Sequence, residues 1–310
     1  MLKDSKIFIP NHHDMVGASI LHQLRQDGYS NIITRDDNEL DLTDEFATDI
    51  FFESAKPEFV FCFAGSHGGI IKNTSYPADI IYEVLKVQIA IIHAAYKHKV
   101  NKLLFLAGNC IYPKFSNQPI VEDFFMDGKM EPTSAAYSTA RAAGVEMCWA
   151  YNRQYGTNFI PAILPNYYGP GDDYTEDGHV LASILNKIYN AKVTNLSKVV
   201  LWGTGTPKRQ FMFSQDIARA CILIMNTYSS TELINISGGE ELSIFEIAHK
   251  TKELVGYSGE IIFDSNKPDG TPRKLMDNSK LKALNFFEQT CFDEGLLLLY
   301  NDYLTNFVKH

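Results

Sequence analysis

The segment KLLFLAGNCIYP, residues 102–113, decides the fold of this chain. Five consecutive apolar residues, Leu103 to Ala107, predict a strand that is buried on both faces. The run breaks at Gly108-Asn109-Cys110, and open α/β sheets carry their chemistry at the carboxyl ends of such strands. Further along, Tyr137 precedes Arg141 by four positions, which places both side chains on one face of a predicted helix. This part of the chain therefore predicts both a central strand and a candidate active site.

Strand and helix patterns alternate on both sides of this central strand. Phe59 to Ala64 is a second continuous apolar run, and Val16, Ile20 and Leu24 mark one face of a helix. Strands joined by helices form right-handed crossover units, so the predicted fold class is α/β, with a Rossmann-like doubly wound parallel sheet. The same patterns predict strands at 6–10, 31–34 and 159–164, and helices from the N-cap Thr43 to about 53, from about 81, and from 134 to 155.

The alternation becomes irregular after residue 165. Residues 165–174 predict a loop, and residues 267–274 predict a polar turn. We expect two parts that share an extensive interface, with the smaller part lying over the carboxyl edge of the sheet. The expected domains are a dinucleotide-binding-type domain, 1–165 with parts of 210–240, and a smaller α/β substrate domain, the remainder of 166–310.

Composition excludes several classes of protein. The 310 residues are 45% hydrophobic and 21% charged, which is typical of a globular protein. A net charge of −9 argues against broad nucleic-acid binding. No apolar run approaches the roughly 20 residues that span a bilayer, and no signal-peptide pattern is present. Five widely spaced cysteines without a CxxC pair favour a reducing cytoplasm over a disulfide framework.

Four segments of the chain are especially specific, and they occur in this order: Gly68-Gly69-Ile70, Cys110-Ile111-Tyr112-Pro113, Trp202 to Pro207, and 267–274. Together with their surroundings they resemble the extended short-chain dehydrogenase/reductases of the NAD-dependent epimerase/dehydratase family, and most closely the GDP-L-fucose synthases among them. The resemblance runs nearly end to end. It implies a GDP-4-keto-6-deoxyhexose substrate that is epimerised at C3 and C5 and then reduced at C4 by NADPH.

The loop that would bind the cofactor phosphates departs from this family. Members carry GxxGxxG after the first strand, because the backbone must approach the pyrophosphate closely. Here the loop reads NHHDMVG and keeps only its last glycine. Asn11 can adopt a left-handed conformation, whereas Asp14 is either a negative charge where the diphosphate would lie or a simple helix cap. The cofactor-binding residues implied by the resemblance are Asn11, His13, Met15, Val16, Gly17, Asp37, Ala64, Tyr137 and Arg141.

The choice between NADP(H) and NAD(H) stays open. After the second strand, a basic residue would contact the 2′-phosphate of NADP and an acidic one a free ribose hydroxyl. The chain offers Arg35-Asp36-Asp37, with Asp37 at the motif position, and His13 is the other candidate near such a phosphate. His12 and His13 also suggest a metal, but no third ligand stands at a suitable spacing, so no metal site is expected.

The residues that the resemblance assigns to reduction are altered as well. Gly108 stands where the family uses Ser or Thr to hydrogen-bond the substrate carbonyl, and Arg141 stands where it uses Lys. Tyr137 is the implied proton donor. An Arg can still lower the pKa of a phenol. Its guanidinium is wider than an ammonium group and planar, so Arg141 is not expected to make the same contacts with the nicotinamide ribose as the family's Lys. Asn109 is a candidate replacement for the missing hydroxyl.

The residues that the resemblance assigns to epimerisation are retained. Protons at C3 and C5 are acidic because they flank the C4 ketone, and inversion needs an acid and a base on opposite faces of the ring. Cys110 and His179 fall on the implied positions. A thiol and an imidazole titrate near enough to neutrality to exchange roles. Each residue also has an ordinary structural interpretation: Cys110 as a small buried hydrophobic residue, and His179 as a residue at the start of a helix.

Basic and aromatic residues predict a site for the nucleotide sugar. An Arg fork suits a diphosphate, a Trp would line the nucleotide pocket, and an Asn would orient the sugar or the diphosphate. Core packing and solvated surface remain the ordinary alternatives. The candidate substrate-binding residues are His67, Asn109, Asn166, Trp202, Arg209, and Lys274 or Arg273.

The sequence hypothesis is an enzyme that epimerises a GDP-4-keto-6-deoxy sugar at C3, C5 or both, with weak or absent C4 reduction. A full NAD(P)H-dependent epimerase/reductase and a non-catalytic sugar-nucleotide-binding subunit are the alternatives. GDP rests on the resemblance, and a heptose would fit equally well. A homodimer is expected through helix faces at 81–95 and 142–151.

Overall fold

The computed structural model describes residues 1–63, 69–176, 178–267 and 269–308. Within these ranges the strands form one main sheet and two smaller ones. The strands are β1 (Ile7–Phe8), β2 (Ile32–Ile33), β3 (Phe59–Cys62), β4 (Lys102–Gly108), β5 (Phe159–Leu164), β6 (Asn166–Tyr168), β7 (Lys198–Trp202), β8 (Lys208–Phe213), β9 (Ile234–Asn235), β10 (Glu241–Ser243), β11 (Glu260–Asp264) and β12 (Arg273–Lys274).

Helices connect most of these strands, and within the described ranges none is both long and apolar enough to cross a membrane. Shorter 3₁₀ turns occupy Asn109–Ile111, Glu122–Phe124 and Pro132–Ser134. The α-helices are α1 (Met15–Gln26), α2 (Glu45–Ala55), α3 (Ile70–Ser75), α4 (Pro77–Lys97), α5 (Ala135–Tyr155), α6 (Val180–Val193), α7 (Ser214–Thr227), α8 (Ile244–Val255), α9 (Ser279–Ala283) and α10 (Phe292–Asp302), followed by a π-helical turn at Tyr303–Phe307.

The main sheet is parallel throughout, in the order β2-β1-β3-β4-β5-β9. Successive residues of β4 point to opposite faces, as a pleated strand requires. Leu104 and Leu106 enter one hydrophobic core, and Leu103 and Phe105 enter another. Both faces are therefore covered, which explains the unbroken apolar run and confirms the α/β doubly wound fold.

The two cores are closed by different helices. On one face α1 packs against α7, and on the other α4 packs against α5. Lys102, at the start of β4, is buried and donates to the carbonyls of Ile224, Met225 and Tyr228 at 3.2, 3.0 and 2.6 Å. A cation at the carboxyl end of α7 offsets the helix dipole there. This contact fixes the central strand against a helix from the second half of the chain.

Two details of the sequence prediction are wrong. The N-cap of α2 is Asp44 and not Thr43, because the Asp44 carboxylate accepts from the amides of Phe46 and Ala47 at 2.9 and 3.1 Å. The predicted loop at 165–174 begins with a strand, β6, which pairs in parallel with β8. Its two tyrosines favour extended structure, and β8 supplies the partner that makes it a strand.

The small sheet around β8 positions the second half of the candidate site. β8 pairs with β6, β10 and β12, and Lys274 lies in register with Arg209. The predicted polar turn at 267–274 thus ends in a strand. An adjoining bridge between Ile120 and Met276 holds this region near the segment that follows β4. The division into two domains stays a prediction.

Candidate active site

The carboxyl end of β4 carries a polar network at the position where chemistry was predicted. The Asn109 amide donates to Oδ1 of Asn166 at 3.0 Å, and its own Oδ1 accepts from Nζ of Lys274 at 3.1 Å. Cys110 follows in a 3₁₀ turn and is partly exposed. Asn109 therefore joins the main sheet to two residues of the small sheet, and the partly exposed Cys110 follows it directly.

Tyr137 and Arg141 meet on α5 as their spacing predicted. The Arg141 Nε donates to the Tyr137 hydroxyl at 3.2 Å. The guanidinium is fully buried, with its carbon 5.8 Å from the ring centroid of Phe63 and 5.2 Å from that of Tyr137. Burial raises the pKa of the Tyr137 phenol, although the Arg141 charge acts to lower it. Tyr137 thus stays a neutral hydrogen-bond donor at neutral pH, and burial outweighs the effect of Arg141 that the sequence suggested.

The loop between β1 and α1 turns as sharply as a phosphate loop does, but it carries an acidic residue, Asp14. Asn11 has a φ of 53°, which confirms the predicted left-handed conformation. A Cβ on Gly17 would lie 2.4 Å from the Asn11 carbonyl oxygen, so this helix approaches the loop backbone itself. The first residues of the helix, Met15 and Val16, are buried in the protein core.

Asp14 decides whether this loop fits a dinucleotide. Its carboxylate caps α1 by accepting a hydrogen bond from the Val16 amide at 3.0 Å. A cofactor diphosphate would bind at that same helix end, where amides and the helix dipole favour an anion. Burial raises the pKa of Asp14, against the lowering effects of the Val16 amide, His179 and Arg141. Because this carboxyl group already takes an amide at the helix end and adds a like charge when it is ionised, the residues present do not fit the diphosphate. The expected NADP(H) or NAD(H) binding is thus at odds with the geometry of this loop.

The loop after β2 contacts the loop between β1 and α1, and the cofactor role of Asp37 stays a prediction. Asp36, and not Asp37, contacts the first loop: its Oδ1 lies 2.7 Å from Nε2 of His13 and 3.3 Å from Nε2 of His12. Asp37 is exposed. The parallel pairing of β1 with β2 brings the Asp36 carboxylate beside the two histidines, a proximity that the spacing along the sequence did not reveal.

His179 has a buried partner that the sequence did not reveal. Its Nδ1 lies 2.7 Å from Oδ1 of Asp172, whose side chain has no exposed surface. Burial lowers the pKa of His179, but the hydrogen bond and charge of Asp172, with smaller effects of Asp14 and Asp173, outweigh it and raise the pKa overall. The ring also packs edge-on against Tyr167 at 4.9 Å. A carboxylate seven positions away in an irregular loop carries no periodic signal that would have identified it.

Electrostatic coupling joins these groups into one cluster. A charge on Asp14 acts on both His179 and Arg141, and a charge on Cys110 acts on Tyr137, Arg141 and Lys274. The fold therefore brings together residues from the ends of β1 and β4, from α5, and from the loop before α6. Their catalytic roles stay predictions.

Two cations face the cluster from the small sheet. Burial lowers the pKa of Arg209 to about 10, and burial, with the Arg209 charge, lowers the pKa of Lys274. Within the described ranges neither residue forms an ion pair with a carboxylate. Arg273 instead donates to Glu241 through Nε and Nη2 at 2.6 and 2.9 Å at the surface. Of the two residues proposed from the sequence, Lys274 and not Arg273 therefore faces the site.

Trp202 lies at the end of β7 and is 48% exposed. The ammonium groups of Lys267 and Lys187 lie 5.1 and 5.9 Å from its ring centroid. The two ammonium groups lie within the range of cation–π attraction to the exposed ring, and the nucleotide-binding role of Trp202 stays a prediction. The predicted site residues Ala64 and His67 lie outside the described residues.

Comparison with known proteins identifies the family. A sequence profile of the NAD dependent epimerase/dehydratase family matches residues 12–237. The chain belongs to this family. The resemblance inferred from the sequence is thereby confirmed, and the chain is an enzyme of the epimerase/dehydratase type.

Individual relatives cover nearly the whole chain. GDP-L-fucose synthase 1 of Arabidopsis thaliana is 42% identical over 98% of this chain and 94% of its own length. GDP-L-fucose synthase of Escherichia coli strain K12 is 39% identical and covers 98% of each chain. Among solved structures, a GDP-mannoheptose C4 reductase from Campylobacter jejuni with NADP bound is 33% identical, has a TM-score of 0.88, and covers 98% of this chain and 100% of its own.

Proposed function

We propose that this enzyme epimerises a GDP-4-keto-6-deoxy sugar, or the corresponding heptose, at C3, C5 or both, and that it reduces C4 weakly or not at all. The substrate class follows from the relatives, which are named for GDP-fucose and GDP-heptose chemistry. Which of the two reactions is retained, epimerisation at C3 and C5 or reduction at C4, depends on the residues of this chain.

Cys110 and His179 are the proposed proton-transfer pair. The raised pKa of His179, which follows from its contact with Asp172, keeps the imidazole protonated to higher pH and so suits it to donate a proton. Cys110 would take the proton from the substrate carbon on the opposite face. Each inversion breaks one C–H bond, places the electron pair on the C4 oxygen as an enolate, and then forms a C–H bond from the other side.

Tyr137 is the proposed donor to that enolate oxygen. Its hydroxyl accepts a hydrogen bond from Arg141, so its own proton is available to the substrate. A preorganised donor at a developing oxyanion contributes substantially to the rate. Proton donation to the enolate oxygen needs no hydride donor. The Tyr137–Arg141 pair on α5 therefore has a role even in an enzyme that does not reduce its substrate.

Arg209 and Lys274 are the proposed diphosphate ligands, and Trp202 the proposed surface for the base. Both cations are partly desolvated and close to each other. An anionic diphosphate between them would relieve their mutual repulsion, and an Arg fork binds two phosphate oxygens at once.

The observation that carries the proposal is the Asp14 cap on α1. The Val16 amide, which a glycine loop offers to a cofactor phosphate, is already bonded to the Asp14 carboxylate. Proton transfer at C3 and C5 needs no nicotinamide cofactor, whereas reduction at C4 does. The enzyme is therefore proposed to keep the first reaction and to lose the second.

The test is proton exchange in deuterated water with GDP-4-keto-6-deoxymannose and no nicotinamide. We expect the ¹H signals of C3, C5 or both to disappear with the wild-type enzyme and to persist with Cys110→Ser. Persistence of both signals with the wild-type enzyme would refute the proposal. Binding of the substrate without exchange would instead support a non-catalytic sugar-nucleotide-binding subunit.

A full epimerase/reductase is the second candidate. It is favoured by the solved relative with NADP bound and by the Tyr137–Arg141 contact, which keeps a cation beside the phenol. Substrate-dependent oxidation of NADPH or NADH, followed by absorbance, would establish it. The proposed function predicts that oxidation of NADPH or NADH is absent or much slower than proton exchange at C3 and C5.

A further inference from the structure

Two imidazoles and a carboxylate converge beside the loop that links β1 to α1. Nε2 of His12 and Nε2 of His13 lie 3.3 and 2.7 Å from the same Asp36 oxygen. The three ligand atoms all lie within 4.8 Å of one another. The two rings are also in contact, with centroids 3.9 Å apart.

The sheet itself produces this arrangement. β1 and β2 are adjacent parallel strands, so the loops that leave their carboxyl ends start at the same edge. His12 and His13 come from the first loop, and Asp36 comes from the second. Asn11, left-handed at the start of the first loop, turns the chain sharply just before the two histidines. The convergence is therefore a consequence of the fold.

The ligand set has a definite chemical preference. Two imidazole nitrogens and one carboxylate oxygen suit Zn²⁺, Co²⁺ and Ni²⁺, and they do not suit Mg²⁺, which prefers oxygen ligands. His13 and Asp36 are exposed, so water can complete the coordination.

We propose that His12, His13 and Asp36 form a binding site for one divalent cation of the zinc class. The ion would bridge the loops after β1 and β2 and would offset the acidic charge of Asp36. This proposal is independent of the proposed function, because neither Cys110 nor His179 takes part in it.

The test uses Zn²⁺ and Co²⁺ with the full chain near neutral pH. Calorimetric titration with Zn²⁺ should show one tight equivalent, and Co²⁺ should give a d–d absorption band typical of nitrogen and oxygen ligands. His13→Gln and Asp36→Asn should each weaken binding by more than the roughly 10- to 100-fold that follows loss of an outer-shell partner. Mg²⁺ should neither bind nor compete.

The matched control is His98→Gln. Nε2 of His98 lies 2.7 Å from Oδ1 of Asp49, the same distance as between His13 and Asp36, but among the described residues no second imidazole nitrogen joins this pair within ligand distance. The control should bind the metal like the wild type. Zn²⁺ should raise the unfolding temperature of the wild type and of His98→Gln only, and the metal-free variants should unfold cooperatively. Absence of a tight equivalent in the wild type, unchanged binding in Asp36→Asn, or equal loss in His98→Gln would overturn the proposal.

Discussion

The Asp14 carboxylate accepts the Val16 amide at 3.0 Å, and so the protein caps with its own anion the helix end that would hold a cofactor diphosphate. The contact is local, between residues two positions apart, yet Asp14 also acts electrostatically on His179 and Arg141. The acidic residue in place of a loop glycine is thereby coupled to two charged side chains of the candidate site.

Replacing Asp14 by Ser should strengthen NADPH binding. Ser can cap α1 with little loss of stability, but it removes the charge that opposes a diphosphate. A charge at a partly buried helix terminus is worth about 1–2 kcal/mol, so the affinity should rise roughly 5- to 30-fold. Fluorescence titration with NADPH measures the change.

The control for this prediction is Asp44→Ser. Asp44 caps a different helix, α2, through the amides of Phe46 and Ala47, the same kind of contact that Asp14 makes with Val16. It should leave NADPH affinity unchanged. Equal affinities for the wild type and Asp14→Ser would show that Asp14 does not oppose the cofactor.

Replacing Asp172 by Asn should move the alkaline limb of the pH–rate profile for proton exchange to lower pH. The pKa of His179 is raised in the folded protein, so its acid form persists until the pH rises through that value. Without the Asp172 charge, burial dominates and the pKa falls. The loss of rate at neutral pH should not exceed the roughly 10²- to 10⁴-fold that general acid–base catalysis contributes.

Asp173→Asn is the matched control, because Asp173 raises the pKa of His179 through its charge alone and is exposed. In Asp173→Asn the alkaline limb of the pH–rate profile should move to lower pH by less than in Asp172→Asn. The same pairing predicts that Asp172 stabilises the fold below pH about 6.5 and that this contribution is lost as pH rises through the raised pKa. Identical profiles for Asp172→Asn and the wild type would remove Asp172 from the mechanism.

Replacing Arg209 by Gln should raise KM for the nucleotide sugar with little change in kcat, because diphosphate contacts are made equally in the ground and transition states. A charged hydrogen bond contributes about 1.5–3 kcal/mol, so KM should rise roughly 10- to 150-fold. Arg273→Gln is the control, since Arg273 is committed to Glu241 at the surface. An equal effect of both substitutions on KM would argue against a diphosphate site at Arg209.

Replacing Gly17 by Ala should destabilise the protein although Ala favours helix. The new Cβ would lie 2.4 Å from the Asn11 carbonyl oxygen, a backbone atom that cannot move alone. The expected cost is about 2–3 kcal/mol, measured by denaturant unfolding. At Gly28 nothing lies within 4 Å of the added Cβ, so Gly28→Ala should cost only the roughly 1–2 kcal/mol of its left-handed backbone. A neutral Gly17→Ala would mean that the loop adjusts freely.

The parts of the fold that follow local patterns could be predicted from the sequence. The apolar run of β4, the helix faces and the four-residue spacing of Tyr137 and Arg141 each depend on neighbours along the chain. The cap of α2 was misplaced by one residue because Thr43 and Asp44 are both capping residues, and only the observed amide contacts distinguish them. The predicted homodimer stays a prediction.

Contacts between distant loops could not be predicted. Asp36 meets His12 and His13 because two strand ends share an edge, and Lys274 rather than Arg273 faces Asn109 because of the register of β12 on β8. Asp172 was missed since nothing in an irregular loop marks a buried carboxylate. The positions of these side chains are set by tertiary contacts, and the same contacts determine which groups meet at the candidate site.

Mass spectrometry of the sugar nucleotide, after one incubation in deuterated water with NADPH present, distinguishes epimerisation alone from epimerisation followed by reduction. The proposed function predicts a product that has gained one deuterium per exchanged position, that is still predominantly a ketone, and that forms with little or no loss of NADPH. A product reduced at C4, with NADPH consumed in equal amount, would contradict it.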